Sequence, residues 1–263
     1  MKILIVGAGR AGTSFAAALS GVHSVSLVHH DDVLAPAECD LVMLCVPDDA
    51  ISEVAATLEV SDHTVVAHVA GSRTLDVLAG HARVASLHPL ATLPNALVGA
   101  ARLRGATFAV DGDELAAEVV TSLEGRIIRV PASSRTIYHA TAVASANHLV
   151  ALMGQVQVLA HQVGLSLEDF WPLARQSLDD VAAYGPAEAL TGPASRGDLA
   201  TLNAHLEVVP LDERTTYQAL AQRAQRLAQE KAIGRDASGG LEPATEAGVP
   251  GRDESDGGAR CSA

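Results

Sequence analysis

Up to about residue 130 the chain alternates short, continuous apolar runs with stretches of helical spacing. The runs cover 3–6, 25–28, 41–46, 64–69, 84–87, 107–110 and 127–130. Runs apolar at nearly every position read as strands buried on both faces, because a half-exposed strand would alternate. Helical patterns fall after Gly9, over 50–58 behind Asp48 as N-cap, around 74–79, and over 114–123. Strands alternating with helices predict a mostly parallel, doubly wound sheet, which gathers its ligands at the carboxyl ends of its strands.

Past Pro131 the strand pattern stops. Residues 133–163 read as one long helix of Ala, Val, Leu and polar residues closed by Gly164. A second covers 166–184, opened by Ser166 and Asp169. Gly185-Pro186 and Leu190-Thr191-Gly192-Pro193 interrupt the chain, and 196–206 and 212–231 are further helices. From Ala232 to Ala263 Gly, Asp, Glu, Ser and Pro prevail without apolar periodicity, which predicts a disordered tail. The expected organisation is an α/β domain over 1–130, an all-α domain over 131–231 and a tail over 232–263.

Composition narrows the partners. Aromatic residues make up 3% of a chain that is 48% hydrophobic, so the core must be built from Ala, Val and Leu. A formal charge of −13 argues against nucleic acid or an anionic membrane as partner. No apolar stretch reads as long enough to span a bilayer. Cys39, Cys45 and Cys261 lack metal-ligand spacing, so no metal site is expected, and a reducing cytoplasm suits three unpaired thiols. The only lysines are Lys2 and Lys231, at the start of the first strand and the end of the last helix. Lysine catalysis is therefore not expected, and arginine must supply any full positive charge in a cleft.

The chemistry starts where Lys2-Ile3-Leu4-Ile5-Val6 runs into Gly7-Ala8-Gly9-Arg10-Ala11-Gly12. In a G-x-G-x-x-G between strand and helix, the first glycine makes the tight turn. The second lets backbone approach a pyrophosphate, and the third lets the helix pack on the strand. The free N–H groups of the helix starting near Arg10 and Ala11 then face the phosphates. Val46-Pro47-Asp48 ends a strand where backbone would line the ribose. After the second strand an acid usually selects NAD(H), but His29-His30 stands there, which favours NADP(H). Asp31 or Asp32 could still reach the ribose if that strand runs further.

Ser72 and His88 each follow a strand and should open onto the nicotinamide side, where a histidine can donate a hydrogen bond or shuttle a proton. Asn147 falls on a small apolar helix stripe with Ala140, Val143, Ala144 and Val150, where a buried amide needs a partner. His139 borders that stripe. Thr191 through Arg196 combine hydroxyls, a helix start and a guanidinium, a set suited to a substrate carboxylate.

Val46-Pro47-Asp48, Ser86-Leu87-His88-Pro89-Leu90, Tyr138-His139 through Asn147-His148, and Leu190-Thr191-Gly192-Pro193 with Arg196-Gly197-Asp198 carry a resemblance. On them the chain resembles bacterial Rossmann-like proteins with a C-terminal domain of unknown function. These lie within the 6-phosphogluconate-dehydrogenase-like superfamily, with ketopantoate and pyrroline-5-carboxylate reductases and prephenate dehydrogenases. The resemblance implies a Rossmann dinucleotide-binding domain followed by an all-α domain through which a homodimer could form. It also implies hydride transfer between a nicotinamide and a small anionic oxo- or imino-acid. His88 or His139 would handle the proton, Asn147 would orient the reacting group, and Thr191 and Arg196 would hold the carboxylate. One departure stands out: the reductases of this superfamily that use a helix lysine place it four residues before the asparagine, where this chain has Val143. That absence keeps open a second reading, a nucleotide-binding regulator without catalysis.

Overall fold

The computed structural model describes residues 1–29 and 39–238. The described chain opens as strand β1 (Lys2–Val6), helix α1 (Arg10–Leu19), β2 (Ser24–Val28), β3 (Leu41–Leu44), α2 (Ile51–Ala56) and β4 (Val65–His68). A 3-10 turn at Leu75–Leu78 leads to β5 (Arg83–Pro89), α3 (Ala96–Leu103), β6 (Thr107–Gly112), α4 (Leu115–Ser122) and β7 (Arg126–Ile128). All seven expected strands are present, in one sheet of order β2-β1-β3-β4-β5-β6-β7. Every neighbouring pair is parallel except β5 with β6. The order reverses between β1 and β3, the switch point at which such a sheet leaves a crevice.

Strand alternation feeds two cores. Ile3, Ile5, Met43, Val65 and Leu87 pack with Phe15 and Phe108 on one face. Leu4, Val6, Val42, Leu44 and Val66 pack with Ile51 and Leu78 on the other. This is why the strands read as unbroken apolar runs. Helix α3 escapes the sequence reading, although Asn95 caps it by accepting from the Val98 N–H at 3.0 Å. Conversely, Asp48 is not the cap of α2: Ala50 holds that position without a side-chain bond, and Asp48 is turned to Ser72 instead.

Beyond β7 the chain is helical: α5 (Arg135–Val143), a π turn (Ala144–His148), α6 (Leu149–His161), α7 (Trp171–Tyr184), α8 (Pro186–Ala189), α9 (Gly192–Ser195), α10 (Leu199–Val208) and α11 (Arg214–Ser238). Ser166 and Asp169 form the expected capping box, over a 3-10 turn that precedes α7. Helix α11 continues past the expected end at 231, so the start of the expected tail is helical, and the rest lies outside the described residues.

The chain divides into compact units Met1–Leu152 and Met153–Ala263, later than the expected break at 130. The reason is α5, whose side chains bond to β5 of the sheet. In the second unit Gln155 Nε2 donates to the Glu213 carbonyl at 3.0 Å and carboxylate at 2.8 Å, tying α6 to the start of α11. His205 Nδ1 lies 2.7 Å from the Tyr217 hydroxyl, tying α10 to α11.

One helical stretch, Ala132–His161 with mean hydropathy 1.2, is by length and composition long and apolar enough to cross a membrane. The expectation of no such stretch fails because its polar residues are small or uncharged, apart from Arg135 and its histidines. Arg135 and Tyr138 hold the first part of this stretch on the sheet.

The contact of α1 with α3 rests on a missing side chain. A Cβ at Gly99 would come within 2.0 Å of Ser14 Oγ and 2.6 Å of Ser14 Cβ. Ser14 is fully buried, and its hydroxyl donates to the Arg10 carbonyl at 2.6 Å. Gly99→Ala should therefore destabilise the protein by roughly 1–3 kcal/mol through overpacking. Adding Ser14→Gly should restore part of that loss, as read by urea unfolding. A neutral Gly99→Ala would show that the two helices separate freely.

Candidate functional site

The turn after β1 separates structural glycines from one that the chain itself does not require. Gly7 has φ +108°, and a Cβ there would lie 2.5 Å from the Cys45 carbonyl oxygen at the end of β3. A Cβ at Gly12 would lie 1.8 Å from the Gly7 carbonyl oxygen. Both positions must be glycine for the turn to close. Gly9 differs: it is exposed, its φ is −73°, and a Cβ would meet nothing within 4 Å. It is the N-cap of α1 and makes no side-chain cap, so no side chain intervenes before the N–H groups of Arg10, Ala11 and Gly12. No acidic residue occupies the first turn of α1 to repel an anion. The space over Gly9 fits a pyrophosphate approaching the backbone.

Val46 is half-buried, Pro47 exposed and Asp48 half-buried just beyond β3, on the other side of the switch point from Gly7. His29 directly follows β2, as the sequence pattern requires; His30, Asp31 and Asp32 lie outside the described residues.

A second group of side chains gathers at the carboxyl ends of β4 and β5. On β5, Ser86 and His88 are two apart and share a face. On α5, Arg135, Tyr138 and His139 share a face by their spacing of three and four. The two faces meet in register. Arg135 Nη2 donates to Ser86 Oγ, and the Tyr138 hydroxyl lies 2.7 Å from His88 Nδ1. The His139 ring stands edge-on to His88 at 6.2 Å between centroids. Gly71 makes room for them, since a Cβ there would lie 2.8 Å from both His88 Nε2 and His139 Cδ2. Ser72 Oγ, one residue on, donates to Asp48 Oδ2 at 2.7 Å.

Beneath Arg135 runs a polar row across three strands, because His68 pairs with Ser86 and Ser86 with Asp111. His68 is fully buried and satisfied: Nδ1 accepts from the Ala70 N–H at 3.2 Å, which leaves Nε2–H to donate to the Thr74 carbonyl at 3.3 Å. Burial pushes its pKa down to about 4, further lowered by Arg135 and only partly opposed by the Thr74 carbonyl. His88 is likewise pushed down to about 4, chiefly by burial and then by His139 and Arg135. His88 is thus a neutral imidazole at pH 7 and not the half-charged shuttle that its type suggests. Burial raises the Tyr138 pKa, and the Arg135 charge opposes it.

The structure brings together Ser72, Asp48, His88 and His139 among the expected residues, and adds Tyr138, Arg135 and His68. The spacing of Tyr138 and Arg135 from His139 is the one sequence signal for them, and it does not carry the burial of Arg135. Asn147 is not a buried amide: it is exposed, and the π turn it lies in adds a residue and breaks the stripe with Val143. Thr191 and Arg196 are both exposed in the second unit. Arg196 is the C-cap of the four-residue α9 rather than the start of a helix, so free N–H groups and guanidinium do not converge there. Among the described residues no group of His, Cys, Asp or Glu could hold a metal ion.

Residues 106–224, from the turn before β6 into α11, match the family model described as a domain of unknown function, DUF2520. No curated protein matches the chain. Among solved structures, a Bacteroides fragilis protein proposed to be an NADP oxidoreductase superposes with TM-score 0.73 at 21% identity, over 86% of this chain and 98% of its own. A Thermotoga maritima protein follows at TM-score 0.69 and 19% identity, over 88% and 99%. Pyrroline carboxylate reductase from Plasmodium falciparum, solved with NADP bound, gives 0.56 and 13%, over 89% and 98%. These likenesses show the shared fold, a Rossmann-like sheet followed by a helical region.

The depressed histidines set a pH dependence. A histidine with a folded pKa near 4 and an unfolded value of 6.5 takes up its proton preferentially in the unfolded chain. Its contribution to stability is complete above pH 6.5 and is lost as the pH falls toward 4. His88 should thereby cost about 2 kcal/mol between pH 7.5 and 5. Urea unfolding of His88→Gln should show a pH loss smaller by about that amount. An unchanged pH dependence would mean that His88 is charged in the folded protein.

Proposed function

We propose that the chain is an NAD(P)-dependent oxidoreductase that moves hydride between a nicotinamide and a small anionic oxo- or imino-acid. The observation that carries this reading is Gly9, a glycine the fold does not need, set at the uncapped start of α1. The backbone of Gly9, Arg10 and Ala11 would hold the pyrophosphate, with Gly7 and Gly12 shaping the turn. Val46, Pro47 and Asp48 would line the ribose. His29 after β2 supports NADP(H) over NAD(H), since no acid stands directly behind that strand. The NADP bound to the Plasmodium reductase of like fold is in keeping with it.

A bound dihydronicotinamide supplies the hydride. The chain's part is the proton. With Nδ1 accepting from the Tyr138 hydroxyl, neutral His88 carries its own proton on Nε2, beside Gly71. That N–H would donate to the substrate's oxygen or nitrogen while Nδ1 takes the phenolic proton of Tyr138. Arg135 favours the phenolate that results, and solvent later restores its proton. A neutral pair does the work of the missing lysine. His139, packed on His88, and Ser72, held by Asp48, would fix the ring and loop around it. Asn147, exposed on the π turn, would orient the reacting group only from the surface of its unit. Val143 in place of the reductases' lysine favours the second reading, a nucleotide sensor without turnover.

Gly9→Val should weaken NADPH binding at least tenfold, measured by fluorescence titration, with the melting temperature unchanged because the side chain meets nothing in the chain. Equal affinity of variant and wild type, or no binding by the wild type, would overturn the assignment. NADPH bound but never oxidised across a panel of oxo- and imino-acids would select the sensor.

A further inference from the structure

We propose that Arg135 is an anion receptor, taking the carboxylate of a small acid on one edge of a guanidinium whose Nε–H and Nη1–H groups the chain leaves without acceptors. The side chain is 1% exposed, yet of its donors only Nη2 is engaged, with Ser86. Nη2 keeps a second hydrogen beside its bond to Ser86, so one edge of the guanidinium, Nε–H with Nη2–H or Nη1–H with Nη2–H, still offers two parallel charged donors in the interior. A guanidinium remains charged even when buried, so these donors cannot be relieved by losing a proton.

The neighbouring groups leave these donors unfilled. His68 spends Nδ1 on the Ala70 N–H and Nε2 on the Thr74 carbonyl. His88 spends Nδ1 on Tyr138. Asp111, across from Ser86, offsets the charge of Arg135 from a distance, and its Oδ1 accepts from the Gly112 N–H. What the site lacks is an acceptor with a negative charge and two oxygens, which is a carboxylate.

Position supplies the rest. Ser86 lies one pleat inside His88 on β5, so His88 and Tyr138 stand between Arg135 and the carboxyl edge of the sheet. An anion entering from that edge reaches the guanidinium when the Tyr138–His88 bond opens, and the bond closes again behind it before the proton moves. Its reacting carbon then lies beside His88. This deepens the proposed function, on which it rests only in making the anion the substrate; anion binding itself needs no nucleotide.

The test is calorimetric titration of the full chain, without nucleotide and at constant ionic strength, with pyruvate, inorganic phosphate, acetate and acetamide. Wild type should bind pyruvate and acetate but not acetamide. Arg135→Gln should bind pyruvate at least tenfold more weakly, Arg135→Lys should fall between, and Arg196→Ala should match wild type. Should Arg135→Gln not fold, the Arg135 Nε–H resonance of wild type must shift with pyruvate and stay still with acetamide. No pyruvate binding by wild type, equal binding by Arg135→Gln or Arg135→Lys, an unmoved resonance, or a loss on Arg196→Ala would overturn the proposal. Phosphate binding as tightly as pyruvate would overturn the carboxylate class. Each result is independent of the NADPH titration of Gly9→Val, so either reading can fail alone.

Discussion

The seating of α5 on β5 is the interaction on which the strand-end cluster depends. It lowers a guanidinium onto a serine in the sheet, and three residues on it brings a phenol to a histidine. Removing a charged donor from water without giving it partners costs about 1–3 kcal/mol or more. The fold therefore accepts a local instability at Arg135, where a Met or Leu would have packed without it. Burial depresses both His68 and His88, and the Arg135 charge that α5 brings lowers both further.

The sheet supplies the complementary constraint. Parallel strands send their carboxyl ends to one edge, so the turn after β1, the loops after β3 and β4, and the end of β5 all meet there. Within that edge the glycines divide by cause. Gly7 and Gly12 answer to the chain's own atoms, whereas Gly9 answers to none of them. The backbone conformation of Gly9 is one any residue could adopt, so the chain itself leaves the space over it clear for the diphosphate proposed above.

The strands were legible because burial on both faces leaves an unbroken apolar run, and Ile3–Val6 and Leu41–Leu44 show it. Helix α3 was not, because 96–103 is short and lies in a β5-to-β6 connection that returns antiparallel, outside the βαβ rhythm. Ser72 and His88 read as residues that follow strands, and β5 in fact continues through His88 to Pro89. Arg135 was not legible, since an arginine at the start of a helix reads as solvated until tertiary packing buries it. Asn147 reads as buried because helical spacing assumes 3.6 residues per turn, and the π turn at Ala144–His148 departs from it and leaves the amide exposed. Arg196 reads as the start of a helix, but Gly192-Pro193 opens only a single turn, which Arg196 closes.

The glycine turn after β1 and the His88–Tyr138–Arg135 cluster are proposed to belong to one site. A crystal structure of the full chain grown with NADPH tests this most directly. Density for the diphosphate should lie against the Gly9 and Ala11 backbone, with the nicotinamide end beside His88. A diphosphate bound elsewhere, or a nicotinamide end remote from His88, would contradict it.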